Sequence, residues 1–384
     1  MWNFDPSMRA ACLVALAAAL IFASGCGGGG STSIVTPVTY AYAATAGFNY
    51  TATGAVTQFK VASNGTLSPL SPEALTSYSV FTTVALDPSG RYLYAGVMYY
   101  GDVAGIRQFV VGSDGTIVPN SIPEVSADAY PVAITFTPNG QFAMVTNGLT
   151  LSSYSIGPAG TLTLIGKVST GENSANTIAI DPSGRFLYVA NSPYDSTISQ
   201  YTISASGSLT FANTIAVGHT SPVPILISPR GFLYSADGET GTVSEYSINP
   251  SDGSLAMVNS VPSGSGGPSG ADNASWPCSL AFSPTGTHAY VSNCLDSTIS
   301  IFAVDASTGT FTRNGPDVPL SLPFNSQLEA RNISVDPSGR FLFGACDNGD
   351  VVGFTIDSSG MLTSSGTISL ANYGGPVGIV FAQR

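Results

Sequence analysis

Few side chains in this sequence have the chemistry of a general acid or base. The 384 residues include 23 Asp and Glu, 11 Lys and Arg, and 2 His. His219, in "VGHTSP", is a candidate general base because imidazole titrates near neutral pH. Glu329 and Arg331, in "EARN", form a second candidate set: the guanidinium would polarise a carbonyl group or bind a carboxylate, while the glutamate positions a water. The alternatives are a bystander His219 and a plain surface ion pair between Glu329 and Arg331.

Four further residues in or beside the predicted loops are candidates for ligand binding: Glu172, Asn176, Trp276 and Asn332. The indole of Trp276 would stack on a sugar ring or anchor a protein partner. The alternative is that this ring packs over an adjacent structural unit.

No metal or cofactor site is predicted. There are only 2 histidines and no CxxC pair, which argues against zinc, and neither a P-loop nor an HExxH motif occurs. Asp237, Asn293, Asp296 and Asp347 recur at nearly the same place in successive units, where they would ring a cation or, more simply, cap a turn. The net charge of −12 disfavours nucleic acid as a partner.

A repeated strand-turn-strand unit positions these residues. The segment "IAIDPSGRFLYVAN" (178–191) has copies at 84–96, 134–147, 225–237, 280–293 and 333–345. In each copy an alternating strand ends at Asp, Ser or Thr followed by Pro-x-Gly, where Pro presets the turn and Gly closes it in the left-handed conformation. Asp87, Asp181 and Asp336 are therefore predicted to cap turns and not to act as catalytic acids.

The number of units follows from two positions that recur once in every unit. An aromatic residue in the third predicted strand occurs seven times: Phe59, Phe109, Tyr154, Tyr201, Tyr246, Phe302 and Phe354. A glycine before the fourth predicted strand also occurs seven times: Gly65, Gly115, Gly160, Gly207, Gly253, Gly309 and Gly360. Four short antiparallel strands per unit of about 40–50 residues are typical of a β-propeller blade. The sequence predicts an all-β, seven-bladed β-propeller over residues 39–384, whose first blade is completed by the C-terminal strand "GPVGIVFAQR".

The blade pattern also predicts where Cys278, Cys294 and His288 lie within their blade. Cys278 begins one predicted strand and Cys294 ends the next, so a hairpin would place them opposite or diagonal to each other. They either form a disulfide in an oxidising compartment or remain small buried thiols. His288 stands in a column otherwise held by aromatic residues such as Tyr92 and Phe341, and is predicted to be a packing residue.

Residues 1–25 have the pattern of a signal peptide. An apolar run from Ala10 to Ala23 is followed by small residues and Cys26, and "ASGC" resembles the lipobox of bacterial lipoproteins. We expect cleavage before Cys26, acylation of its thiol and a flexible tether over residues 26–38. The lipid would hold the domain in the cell envelope, on the periplasmic or cell-surface side. An ordinary secretory signal cut nearby is the alternative.

Blades such as "LAFSPTGTHAYVSNCLDSTISIF" (280–302) resemble those of the 6-phosphogluconolactonase-type lactonase propellers and of the related YVTN-repeat surface proteins. The resemblance spans residues 39–384. It implies a seven-bladed ring with the active site at one mouth of the central channel. It also implies His, Arg and Glu around that mouth, with His and Arg just before the innermost strands.

At the equivalent positions this chain has no His, and only "EARN" (329–332) retains an Arg and a Glu. We therefore expect a monomeric, membrane-anchored module that binds a small molecule, a glycan or a protein through its loop face. The alternative is a lactone hydrolase or cycloisomerase with a diverged site around Glu329, Arg331 and His219.

Overall fold

A computed structural model describes most of the chain after residue 36. The described ranges are 37–46, 54–77, 79–99, 104–170, 175–191, 197–217, 222–238, 240–264, 276–294, 296–320, 330–346, 348–370 and 372–384. The predicted signal segment with Cys26, and the candidate residues Glu172, His219 and Glu329, lie outside these ranges. Within them, no helix is long and apolar enough to cross a membrane.

The described strands form seven separate antiparallel sheets, which are the seven predicted blades. Blade 1 contains β29 (Pro376–Gln383), β1 (Thr39–Thr45), β2 (Gly54–Val61) and β3 (Leu67–Ser77). Blade 2 contains β4 (Val80–Leu86), β5 (Tyr92–Met98), β6 (Ala104–Val111) and β7 (Ile117–Ser126). Blade 3 contains β8 (Ala133–Phe136), β9 (Phe142–Asn147), β10 (Thr150–Ile156) and β11 (Leu162–Ser169).

The remaining blades follow the same order from the innermost to the outermost strand. Blade 4 contains β12 (Ala175–Ile180), β13 (Phe186–Asn191), β14 (Thr197–Ile203) and β15 (Leu209–Ala216). Blade 5 contains β16 (Pro222–Ile227), β17 (Leu233–Asp237), β18 (Thr242–Ile248) and β19 (Leu255–Pro262). Blade 6 contains β20 (Pro277–Phe282), β21 (His288–Asn293), β22 (Thr298–Val304) and an outer edge split into β23 (Phe311–Arg313) and β24 (Val318–Pro319). Blade 7 contains β25 (Ala330–Val335), β26 (Phe341–Cys346), β27 (Asp350–Ile356) and β28 (Leu362–Ser369).

The C-terminal strand closes the ring, as predicted. β29 pairs antiparallel with β1, with Ala41 opposite Phe381. Beyond the strands, the backbone N–H of Val38 donates to the carbonyl of Arg384 at 2.8 Å, and the reciprocal bond measures 2.9 Å. This pairing covers an inner sheet edge that a linear array of blades would leave open.

The Pro-x-Gly turns are held by the capping bonds that the sequence predicts. The Asp181 carboxylate accepts hydrogen bonds from the backbone N–H groups of Ser183 at 3.0 Å and Phe186 at 2.7 Å. Gly184, with a φ of 71°, supplies the left-handed residue. Because these carboxylates are used by their own turns, they are structural.

The seven glycines before the outer strands have a second role besides turn formation. Each has a positive φ and lies against the ring that opens the second strand of the preceding blade. A Cβ on Gly160 would lie 2.2 Å from Cδ1 of Tyr92. A Cβ on Gly360 would lie 2.2 Å from Cδ2 of His288, so His288 is a packing residue, as predicted. Glycine is required here because the backbone and the ring are in close contact.

The apolar core is divided among the interfaces between blades. Leu93, Phe109 and Ile117 of blade 2, for example, pack against Tyr42 and Val56 of blade 1 in one buried cluster. Similar clusters join the other neighbouring blades of the described structure. The innermost strands are left to line the central channel.

Candidate functional site

The central channel encloses a cavity of about 520 Å³ whose lining comes from the innermost strands of all seven blades. Because every innermost strand begins at the same end of the ring, the residues that open these strands form one mouth. The described parts of the inter-blade segments and of the loops between second and third strands lie on this face, and the Pro-x-Gly turns lie on the opposite face. We call the face with the inter-blade segments the mouth face.

Polar side chains at the rim of the mouth join adjacent blades through the backbone. The Thr177 hydroxyl oxygen accepts the N–H of Ile225 in blade 5 at 3.0 Å. In further contacts of this kind, Ser279 Oγ accepts the N–H of Ile333 at 3.0 Å, Asn332 Oδ1 accepts the N–H of Ile379 at 3.4 Å, and the Thr82 hydroxyl donates to the carbonyl of Pro131 at 2.6 Å. These bonds set the orientation of the rim side chains relative to the channel.

The rim contacts use the acceptor atoms of Thr177, Ser279 and Asn332. All three residues line the channel, where their side chains can still offer donors. These donors are the hydroxyl hydrogens of Thr177 and Ser279 and the Nδ2 group of Asn332. Such a set suits a ligand with carbonyl, hydroxyl or ring oxygens. It provides neutral donors and can stabilise developing negative charge on an oxygen.

Of the predicted site residues, the structure places three on innermost strands at the mouth. Asn176 is the second residue of β12, and its backbone carbonyl accepts a hydrogen bond from the Thr146 hydroxyl at 3.1 Å. Arg331 and Asn332 are adjacent in β25. The side chain of Arg331, like Glu172, His219 and Glu329, lies outside the described part, so the convergence of these groups on one pocket stays a prediction.

Trp276 stands directly before β20 on the mouth face and is 41% exposed. Its ring lies against blade 5, where a Cβ on Gly238 would be 2.5 Å from Cε2 of the indole. The structure therefore contains the packing over an adjacent blade that the sequence allowed, while the residue as a whole stays exposed and can still meet a ligand.

A disulfide links Cys278 of β20 to Cys294, just after β21, with a Cα–Cα distance of 5.9 Å. The backbone N–H of Cys294 also donates to the carbonyl of Trp276 at 2.8 Å. The mouth end of this hairpin is thus fixed both covalently and by a hydrogen bond to the backbone of Trp276.

Residues at the ends of second strands cap turns. Asp237 accepts the N–H of Thr240 at 2.7 Å. Asn293 donates to the hydroxyls of Thr298 at 3.1 Å and Ser300 at 2.8 Å. Across the described ranges, no group of three or more His, Cys, Asp or Glu side chains is arranged to hold a metal ion.

Sequence reasoning missed one buried acid. Glu245 in β18 is fully buried, and burial raises the pKa of its carboxyl to about 7. The position was recognisable from the sequence: the residue before the third-strand aromatic is glutamine at Gln58, Gln108 and Gln200. Glu245 therefore belongs to an inter-blade position and not to the mouth.

Solved structures with this fold include several bacterial proteins. The periplasmic gluconolactonase of Pseudomonas aeruginosa is 18% identical, with a TM-score of 0.72, and the match covers 89% of this chain and 99% of that one. A Bacteroides fragilis protein provisionally identified as a 6-phosphogluconolactonase is 19% identical, with a TM-score of 0.70 and coverage of 91% and 99%. A Lactobacillus plantarum protein is 19% identical, with a TM-score of 0.72 and coverage of 90% and 100%. At these identities the likeness establishes the fold.

Among curated proteins, no relative matches the sequence. The family model described as "Lactonase, 7-bladed beta-propeller" matches residues 106–269 and 271–376, which is well over half of the chain. With its seven four-stranded blades closed by the C-terminal strand, the chain belongs to the lactonase family of seven-bladed β-propellers.

Proposed function

We propose that the protein hydrolyses a neutral sugar lactone at the channel mouth. The observation that carries this proposal is the set of neutral donors that Thr177, Ser279 and Asn332 contribute to the channel of a lactonase-family propeller. The donors on the rim match the oxygen atoms of a lactone and the hydroxyl groups of a sugar. The proposal therefore favours the enzymatic alternative over the binding module that the missing histidines suggested.

The chemistry would follow from these groups. A water oxygen bonds to the lactone carbonyl carbon, the ring C–O bond breaks, and the ring oxygen takes up a proton to give the hydroxy acid. Negative charge develops on the carbonyl oxygen, where the Asn332 amide and the Arg331 guanidinium would stabilise it. Glu329 would take the proton from the attacking water, and His219 is the second candidate for this base.

An unphosphorylated lactone is the substrate class we infer. The chain has a net charge of −12, which opposes the approach of a phosphate dianion. The similar Pseudomonas aeruginosa protein is a periplasmic gluconolactonase. A signal peptide with a lipid on Cys26 would likewise place this domain in the envelope, where a free sugar lactone is the simpler substrate.

The test is hydrolysis of D-glucono-δ-lactone by the purified full-length chain, followed by pH-stat and corrected for uncatalysed opening. Arg331→Ala is expected to lower kcat about 100-fold, the usual effect of removing one stabilising donor. Arg91→Ala, an exposed arginine of a turn on the opposite face, is the matched control and should retain full activity. A wild-type rate equal to the uncatalysed rate would show that the proposed activity is wrong.

Ligand binding without turnover is the second candidate function. The exposed ring of Trp276 on the mouth face favours it, since an accessible indole is a common platform for a sugar ring. Gluconolactam, an analogue that resists ring opening, is a suitable calorimetric probe. Binding that Trp276→Ala weakens, in a protein without lactone turnover, would support this second function over the first.

A further inference from the structure

Neighbouring blades share a recurring hydrogen bond near the outer edge of the ring. A tyrosine in the second strand donates its hydroxyl to the carbonyl of the conformationally constrained glycine in the next blade. In the described part of the chain, five interfaces contain this bond: Tyr42 to Gly115, Tyr94 to Gly160, Tyr188 to Gly253, Tyr234 to Gly309 and Tyr290 to Gly360.

A second recurring position lies directly opposite this tyrosine on the third strand. Tyr94 pairs with Gln108. Gln108 Oε1 accepts the N–H of Leu162 in blade 3 at 2.6 Å, while Nε2 donates to the carbonyl of Ile122 in its own blade at 2.7 Å. Gln58 of blade 1 makes the equivalent bond to Ile117 of blade 2 at 2.8 Å. A primary carboxamide thus fills the space between these blades.

The interface between blades 7 and 1 has neither group. Phe343 stands in the tyrosine position and Gly353 opposite it stands in the glutamine position. A cavity of about 230 Å³ occupies this place. We call it the seam cavity; its lining residues are Gly65, Thr66, Leu67, Phe343, Val351, Gly353, Ser365, Gly366, Thr367 and Ile368.

The seam cavity is lined by the same kinds of backbone group that the tyrosine hydroxyl and the glutamine carboxamide bind at other interfaces. Leu67 is the first residue of β3, as Ile117 is the first residue of β7, so its N–H corresponds to the donor that Gln58 accepts. Gly65 corresponds to the glycines whose carbonyls accept a tyrosine hydroxyl. Ser365 Oγ is buried without a hydrogen-bond partner, and a Cβ on Gly353 would lie 2.8 Å from it.

Its size and lining define the ligand. A volume of about 230 Å³ far exceeds what one water needs, roughly 10–15 Å³, yet is below the range of about 300–1,000 Å³ typical of drug-sized ligands. Phe343, Val351 and Ile368 form apolar walls. All lining residues are uncharged, so an ionic ligand would lose hydration without a compensating partner.

We propose that the seam cavity binds a small neutral molecule that carries a primary carboxamide on a short apolar body. Its carbonyl oxygen accepts the N–H of Leu67 and the hydroxyl of Ser365, its amino group donates to the carbonyl of Gly65, and its apolar part packs on Phe343. The ligand replaces the glutamine side chain found between other blades. This site lies near the Gly65 turn, on the face opposite the mouth, and is independent of the lactonase proposal.

The test uses isobutyramide as the probe and the methyl resonances of Leu67, Val351 and Ile368 as the readout, in titrations of the full-length chain followed by NMR. We expect saturable shifts of these methyl groups. N,N-dimethylisobutyramide, which lacks the N–H donors, should bind about tenfold more weakly. Isobutyrate, which is charged at neutral pH, should bind at least as weakly as the dimethyl amide.

Gly353→Gln is expected to fill the seam cavity with its own side chain and to abolish the shifts; Gly353 has no positive φ, and the Ser365 hydroxyl 2.8 Å from the new Cβ can rotate away. Ser153→Gln makes the same addition at the corresponding position of blade 3 and should leave isobutyramide binding intact. Ser365→Ala, which removes one donor, should weaken binding about tenfold. Absence of saturable shifts in the wild type, equal binding by Gly353→Gln, or isobutyrate binding as tight as that of isobutyramide would each overturn the proposal.

Discussion

Glu245 Oε1 accepts the backbone N–H of Phe311 at 2.6 Å, across the interface between blades 5 and 6. This is the bond that Gln58 and Gln108 make at their own interfaces. Glu245 Oε2 is buried and has no hydrogen-bond partner, whereas the corresponding Nε2 of a glutamine is a donor. A neutral, protonated carboxyl group therefore fits this position better than a carboxylate.

Stability should consequently fall as the pH rises across the titration of Glu245. Burial raises the pKa from the ordinary value of 4.5 to about 7 in the folded protein. Below pH 4.5 both the folded and the unfolded chain hold the proton, and the stabilisation is complete. Between pH 4.5 and 7 the unfolded chain releases its proton first, so about 3 kcal/mol of unfolding free energy is lost.

Glu245→Gln should remove this loss and raise the unfolding free energy at pH 8, because glutamine keeps the oxygen that accepts the Phe311 N–H and carries no charge. Urea unfolding measured from pH 4 to pH 8 provides the comparison. Glu73→Gln, an exposed residue of blade 1, is the matched control and should reproduce the wild-type pH profile. A profile for Glu245→Gln that parallels the wild type would show that Glu245 does not titrate in this range.

The blade count and ring closure were predictable because their causes are local in the sequence. Asp181 and Gly184 define one turn through bonds within six residues, and the same turn recurs blade after blade. The strand Thr39–Thr45 has the pattern of a second strand but was predicted without a first strand of its own. The C-terminal segment has the pattern of a first strand without a second strand, so the two were predicted to pair. The positions of these elements followed from turn chemistry and strand alternation.

The contacts between blades were less accessible to sequence reasoning. Tyr94 meets Gly160 and Gln108 meets Leu162 across more than 50 positions of sequence, so their pairing depends on the ring geometry. Aligning the blade sequences marks Glu245 and Gly353 as departures from the glutamine position, but the burial of Glu245 and the cavity beside Gly353 depend on the folded ring. At the mouth, the sequence predicted Arg331 and Asn332 just before a strand, whereas they lie within β25, and it could not show that Asn332 accepts a hydrogen bond from the next blade.

The close contact between Gly160 and the Tyr92 ring should make Gly160→Ala strongly destabilising. The methyl group would meet the ring at 2.2 Å, and alanine would have to adopt a φ of 75°. We expect a loss of about 2–4 kcal/mol in the free energy of unfolding, measured with urea. Gly166→Ala, in the following strand, is the control because a Cβ there meets nothing within 4 Å. Equal losses in the two variants would contradict the packing role of Gly160.

The Cys278–Cys294 disulfide should stabilise the mouth end of blade 6. It joins residues separated by 16 positions. A disulfide that closes a loop of this size in the unfolded chain raises the unfolding free energy by about 3 kcal/mol. Cys278→Ser combined with Cys294→Ser should lower the unfolding free energy by about this amount and make it insensitive to reductant. Cys346→Ala, which alters the free buried cysteine, should keep the reductant sensitivity of the wild type. An unchanged response in the double variant would exclude a bond between these two residues in solution.

Asn332 offers a direct test of the rim as the source of transition-state stabilisation. Asn332→Asp keeps an oxygen that accepts the N–H of Ile379, so the junction of blades 7 and 1 is preserved, but it removes the Nδ2 donor. If the proposed lactone hydrolysis is correct, kcat should fall about 100-fold while KM changes much less, because the lost bond is made to the developing oxyanion. Asn139→Asp makes the same replacement in an exposed turn on the opposite face and should leave both constants unchanged. A rise in KM alone would place Asn332 in substrate binding, and unchanged constants would remove it from the site.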